Sequence, residues 1–279
     1  MTAPPVLVAQ ISDLHIKRPG ALAYGKVDTA AALTRCIAQL NRLRPRPEIV
    51  IVSGDLVDTP AEDEYEHLNR LLAPLEIPIA VIPGNHDARA LVRAAFPTQP
   101  YAQATGALNL SLAVGPLDLV LIDSSVPCAP HGVLDGDTLR WLDATLSMSP
   151  ARPALLFLHH PPFVTGIKHM DRQCLRNTDD FAPLLKRHSR VRLIAAGHVH
   201  RTTLTMFSGI STTICPAPNH AVALDLEERY APSLMIEPPA FHLHAWFAGD
   251  EHGELVTHVV PIGDFSGPHP FFDAQGRQL

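Results

Sequence analysis

The 279-residue chain is long for one domain and short for two, and its 46% hydrophobic and 18% charged residues exclude a disordered or low-complexity protein. A formal net charge of −6 excludes a broad surface for long nucleic acid, which needs a basic excess to release phosphate counterions; a local cationic pocket stays open. No stretch has the apolar length of a spanning helix, and Met1 to Gln10 lacks the basic start and apolar run of a signal peptide, so no membrane partner and a cytoplasmic location are expected.

Val6 to Ile11 is a short apolar run ending in Ser-Asp and reads as a buried strand. Thr29 to Leu43 has helical spacing through Ala32, Leu33, Ile37 and Leu40, and Pro45 and Pro47 stop it. Glu48 to Val52 is a second strand, ending at Ser-Gly-Asp. Pro60 to Leu75 is helical, with acids early and Arg70 late, as the helix dipole favours. Ile79 to Ile82 is a third strand and residues 88–95 a short helix. Leu108 to Val114 and Leu117 to Ile122 flank Gly115-Pro116 as a hairpin. Asp135 to Leu146 reads as a helix with Asp135 as N-cap. A strand over Ala154 to Leu158, a helix over Thr178 to Arg187 and a strand over Arg192 to Ala196 follow. Further strands are expected near 202–207, 242–247 and 255–260. Residues 209–241, rich in Pro and apolar side chains, read as a small cap or an oligomer contact on a single domain spanning 1–279. Strand–helix alternation early and hairpins late imply an α/β protein. The expected form is a four-layer α/β/β/α sandwich of two mixed sheets flanked by helices.

Four cysteines, Cys36, Cys128, Cys174 and Cys215, are scattered, which reads as reduced thiols packed in the core or inert. The anomaly is histidine, at sixteen residues. Several belong to five short motifs: Asp13-Leu14-His15, Gly54-Asp55, Gly84-Asn85-His86-Asp87, His159-His160 and Gly197-His198-Val199-His200. Each follows an apolar strand-like run, and open α/β sheets bind ligands at the carboxyl ends of their strands. Residues distant in sequence would therefore converge on one rim.

The inventory is Asp13, Asp55 and Asn85 as oxygen ligands and His15, His198, His200 and one of the His159-His160 pair as imidazoles. With no thiolate and so much nitrogen, the set suits Mn, Fe, Zn or Co better than Mg, Ca or a structural zinc. If Asp55 bridges, one ion takes Asp13, His15, Asp55 and His200, and the other takes Asp55, Asn85, His198 and a histidine of the pair. About two negative first-shell charges against about four positive leave a net positive site for a phosphate anion. Two adjacent metals usually mean phosphate-ester hydrolysis.

In this order and spacing the motifs resemble the calcineurin-like metallophosphoesterase superfamily. The chain is most similar to its bacterial branch of cyclic-nucleotide phosphodiesterases and glycerophosphodiesterases. Ile122-Asp123-Ser124-Ser125 and Met170-Asp171 extend the likeness, which is good over residues 6 to about 207 and looser beyond. The resemblance assigns His159, the first of the pair, as the ligand. It implies a dinuclear phosphodiesterase in which metal-activated hydroxide attacks phosphorus in line, with a catalytic set of His86, Asp55 and Asn85. It also implies a dimer or larger homo-oligomer.

His86, adjacent to a ligand but not one itself, is the candidate to stabilise developing charge or protonate the leaving alkoxide. Asp87 is expected either to orient an imidazole or to cap the following helix. His160 is expected to pack behind the ligands. Asn219 and His220 in the cap, and Lys168, His169 and Asp171 after the His pair, are candidates to reach substrate. His242, His244, His252, His258 and His269 read as strand and surface histidines. Superfamily protein phosphatases carry Arg before Gly-Asn-His; here Pro83 stands there, which removes a bidentate clamp for a monoester dianion. The expected substrate is thus a small diester: a cyclic nucleotide such as cAMP, or a glycerophosphodiester. The competing readings are a phosphomonoesterase of the same fold and a non-catalytic metal-binding protein.

Overall fold

A computed structural model describes residues 4–249 and 253–279. His252 and the first three residues of the segment read for a leader lie outside the described residues.

The apolar runs become parallel strands. β1 (Val6–Ile11), β2 (Ile49–Ser53) and β3 (Ile79–Ile82) lie parallel, with β12 (Ala240–Phe247) antiparallel to β1 and β13 (Glu254–Pro261) at the edge, in the order β13-β12-β1-β2-β3. A second sheet has the order β4-β5-β6-β7-β9-β8. Its strands are β4 (Leu110–Val114), β5 (Leu117–Ile122), β6 (Ala154–Leu158), β7 (Val191–Ala196), β8 (Thr203–Phe207) and β9 (Ile210–Ile214). Here β5, β6, β7 and β9 run parallel, while β4 and β8 are antiparallel edges.

The two-residue period of a strand sorts the second sheet's side chains onto two faces. Leu119, Leu121, Leu155, Phe157, Leu193 and Ala195 join the core shared with the first sheet. Their neighbours Val120, Ile122, Leu156, Leu158, Ile194 and Ala196 form a second core. Helices α4 (Gly136–Met148) and α6 (Thr178–Lys186) close that second core with Leu142, Leu146, Phe181 and Leu184. On the other side α1 (Thr29–Arg42), α2 (Glu62–Leu72) and α3 (Arg89–Ala95) contribute Leu33, Leu40, Tyr65, Leu68 and Val92 to the first core. The four-layer α/β/β/α architecture follows.

Caps fix where the helices start. The Asp28 carboxylate accepts from Ala31 N at 2.9 Å, and Asp135 accepts from Thr138 N at 2.8 Å, each worth about 1 kcal/mol. The segment expected as a cap divides in three. Ile210–Ile214 is β9, paired with β7 and β8 in the second sheet, where Thr212, Thr213 and Ile214 are buried. Ala221–Val222 (β10) and Leu234–Met235 (β11) form a small separate ribbon. Ala240–Phe241 already belongs to β12. His242 and His244 lie in β12 but are buried, 0% and 1% exposed, rather than at the surface. The run after the His pair holds one short helix, α5 (Lys168–Asp171).

Candidate metal centre

The motifs meet at the carboxyl ends of β1, β2, β3, β6 and β7, at one end of the core that the two sheets share. The backbone there is contorted. Asp13, His15, Asp55, His198 and His200 all have positive φ, between 45° and 75°. They are five of the nine non-glycine residues with positive φ among the described residues. Each such turn costs about 1 kcal/mol and persists only where surroundings over-determine it. Cross-links between the loops do so: Asp13 N donates to Gly54 O at 3.0 Å, His15 N to Asp55 O at 3.0 Å, and Gly197 N to His159 O at 2.9 Å. Gly84 and Gly197 permit close approach, since a Cβ there would fall 2.2 Å from Asp55 Oδ1 and 2.0 Å from Ser12 Oγ respectively.

The side chains then converge. Asp55 Oδ2 lies 3.4 Å from both His15 Nε2 and His159 Nε2, between two groups of donors. On one side His15 Nε2 and His200 Nε2 are 3.2 Å apart, and His200 Nε2 is 3.4 Å from Asp13 Oδ1. On the other, His159 Nε2 is 3.1 Å from Asn85 Oδ1, and the His198 and His159 rings meet at 5.1 Å. Asp13, His15 and His200 bring ligand atoms within 4.8 Å of one another, as do Asp13, Asp55 and His159.

The outward nitrogens face polar atoms, two of them in hydrogen bonds. His15 Nδ1 faces Asp58 Oδ1 at 3.3 Å, His159 Nδ1 donates to Ser53 O at 2.9 Å, and His200 Nδ1 to His220 O at 3.3 Å. These partners select the tautomer whose Nε2 lone pair points inward. Burial, then neighbouring imidazoles, hold His198 and His200 well below the usual histidine range, so both are neutral. Burial opposes charge on Asp55, yet the rings of His159 and His86 outweigh it and keep this carboxylate ionised. Buried His198 Nε2 has no hydrogen-bond partner. Neutral His198 and His200, an ionised Asp55 carboxylate that, against burial, holds the facing His159 ring up at about 9, and an orphaned buried nitrogen make a donor set that a cation would complete by displacing protons, and the residues fit two ions.

His86 lies beside this donor set, with a ring nitrogen within 4.8 Å of ligand atoms of His15 and Asp55. Its backbone N–H donates to Asp55 Oδ1 at 2.9 Å and its Nδ1 to Asp58 O at 2.8 Å, which leaves the ring's other nitrogen outside these hydrogen bonds. His160 packs behind: its Nδ1 meets Ser124 Oγ at 2.8 Å, while its ring leans on His159 and His198. Asp87 takes neither expected role. Its carboxylate accepts from Gly84 N, Leu56 N and the Tyr65 hydroxyl at 2.8–3.0 Å, pinning the loops that carry Asp55 and Asn85. Helix α3 starts without a side-chain cap. The Asn219 amide is spent on Asp13 O and Leu14 O, at 2.9 and 3.0 Å, so it braces the first motif instead of facing substrate. Asp171 likewise braces its own loop through Thr165 and Gly166.

Sequence reasoning missed Asp58, which also pairs with Lys17 at 2.5 Å, and Lys17 in turn reaches buried Glu64 at 3.9 Å. Their signal was spacing: Asp58 stands three residues after Asp55 and Lys17 two after His15. Next to the centre opens a cleft of about 440 Å³ lined by His86, His169, His220, Tyr24, Gln173 and Leu234, among others. Among the described residues no Lys or Arg lines it. Lys168 does not reach the cleft; it pairs with Glu228 at 3.1 Å on the outside.

Residues 6–202 match the family model described as calcineurin-like phosphoesterase, and the chain belongs to that family. Over 275 residues it is 38% identical to a probable glycerophosphodiester phosphodiesterase, GpdQ, of Arcobacter nitrofigilis, covering 98% of this chain and 100% of the relative. It is 30% identical over 267 residues to the 3′,5′-cyclic adenosine monophosphate phosphodiesterase CpdA of Pseudomonas aeruginosa, covering 93% and 91%. A dimetal phosphatase from Danio rerio superposes with a TM-score of 0.61 at 14% identity, over 94% of this chain and 100% of that one, which shows the shared fold.

Proposed function

We propose that this chain is a metal-dependent phosphodiesterase acting on small diesters, with Asp13, His15, Asp55 and His200 holding one divalent ion and Asp55, Asn85, His159 and His198 the other. The observation that carries the reading is Asp55 Oδ2 equidistant from two inward-facing imidazoles, one in each group. Bound there, two ions of the Mn, Fe, Zn or Co class would acidify water and neutralise the phosphate.

The chain's own residues do the rest. His86, anchored through Nδ1 on Asp58 O, is placed to give a proton to the departing alkoxide. Among the described residues the cleft wall has no Lys or Arg, so no permanent cation beyond the metals compensates a second phosphate charge. A monoanionic diester therefore fits better than a dianionic monoester. The names of the relatives support the same substrate class: cyclic nucleotides or glycerophosphodiesters. A homo-oligomer belongs to the proposal, on the exposed Leu204 and Met206 of edge strand β8; so does a cytoplasmic setting, on four free cysteines. Among the described residues no helix is long and apolar enough to cross a membrane.

The test is turnover of bis(p-nitrophenyl) phosphate against p-nitrophenyl phosphate with Mn added. The diester should be the better substrate. No turnover of either contradicts an enzyme, and a strong monoester preference contradicts a diesterase.

A further inference from the structure

The apolar run of β1 carries one polar residue, Gln10, and it is fully buried. Its carboxamide is tied at both ends. Nε2 donates to Ser53 Oγ at 2.9 Å and to Ala196 O at 3.2 Å, and Oε1 meets His244 Nε2 at 3.2 Å. The Ala196 carbonyl can only accept, which fixes which end of the amide is nitrogen. Oε1 then needs a donor, so His244 carries its proton on Nε2. Burial, then the neighbouring His242 ring, holds His244 well below the usual histidine range, so the ring is neutral and its Nδ1 accepts. That nitrogen faces the Thr257 hydroxyl at 2.9 Å. One directed chain results, from Thr257 through His244 and Gln10 to Ser53 and Ala196.

The two acceptors of Gln10 lie in different sheets. Ser53 ends β2 in the first, and Ala196 ends β7 in the second. Each stands two residues before a proposed ligand, Asp55 and His198, and Gln10 stands three before Asp13. The Ser53 carbonyl also accepts from His159 Nδ1 at 2.9 Å. One side-chain amide therefore joins the strand ends that carry ligands of both ions. His244 lies outside all five motifs, on β12, with its ring 5.9 Å from Phe157 of the second sheet. Polar groups in so apolar a core are costly unless paired, and paired they hold one geometry.

We propose that Gln10 and His244 are positioning residues for the metal centre: they set the spacing between the loops of the two sheets that hold the ion pair. This rests on the two-ion reading above. Without the chain, packing alone would join the sheets at this level, and packing fixes distance and direction less sharply than a hydrogen bond.

The test is calorimetric titration of the metal-stripped protein with Mn(II), followed by electron paramagnetic resonance at saturation. Wild type should take two Mn per chain; if it does not, the two-ion reading itself fails. With two bound in wild type, His244→Phe should weaken Mn binding about three- to tenfold and alter the exchange coupling between the ions, and Gln10→Met should weaken it at least about tenfold. His244→Gln, which keeps a donor toward Gln10 Oε1, should recover most of the loss. Leu142→Ala opens a cavity in the second core under α4; it should lower Tm yet leave Mn affinity and coupling unchanged. Unchanged affinity and coupling in folded His244→Phe overturns the proposal, as does an equal loss in Leu142→Ala or no recovery in His244→Gln. If His244→Phe does not fold, Thr257→Val decides from the outer end of the chain: affinity lowered about two- to threefold supports the proposal, and unchanged affinity contradicts it.

Discussion

The rim of the metal centre and the outer wall of its cleft are built on opposite terms. At the rim, five ligand candidates hold positive φ, His159 and His200 donate through Nδ1 to backbone carbonyls, and loops from four strands share hydrogen bonds. The wall, residues 168–173 facing 228–234, is tied across its outside by exposed ion pairs of Glu228 with Lys168 and Arg172. Exposed pairs of this kind contribute little. Strain is retained only where many neighbours enforce it, so the rim keeps one geometry while the wall can change without disturbing it. Chemistry and substrate choice are therefore separable by mutation.

That separation can be broken at several depths. Asp55→Asn removes the charge shared by both groups, and turnover should fall by at least roughly 10³-fold with loss of both ions, read by metal analysis and kcat. His86→Ala should cost about 10² to 10⁴ in kcat yet leave two metals per chain, because the proposed function gives His86 a proton and no metal. Loss of metal in that variant would move His86 into the ligand shell. Asp58→Ala frees the His15 ring and should weaken metal binding about 10- to 100-fold, with Asp58→Asn recovering part of it; titration calorimetry decides. Gln173→Ala on the wall should raise KM by at most about tenfold with kcat little changed. A large kcat effect there would show that wall and rim are not separable.

The same contrast explains what could be read from the amino-acid order. Asp13, His15, Asp55, Asn85, His159, His198 and His200 were legible because each ends an apolar run, and a strand's end has a fixed place in an α/β sheet. The bracing was not. Asp87 meets Tyr65 from another element, and Asn219 reaches Asp13 O across 206 residues. No local pattern announces such partners. Strand β9 was hidden for a related reason: Ile210 to Ile214 sits between Gly209 and Pro216, so its flanks read as loop, and only pairing with β7 and β8 makes it a strand. Buried His242 and His244 follow the same rule. Their polarity suggested solvent, whereas His244 is satisfied by Gln10 and Thr257 inside the core, at 3.2 and 2.9 Å.

The central claim is that Asp55 joins two cation sites into one. Its most direct measurement is electron paramagnetic resonance of the metal-stripped protein titrated with Mn(II). Two Mn per chain with an exchange-coupled spectrum, reduced to isolated or absent Mn in Asp55→Asn, is the predicted result. A single isolated Mn per chain at saturation, unaltered by Asp55→Asn, would contradict it.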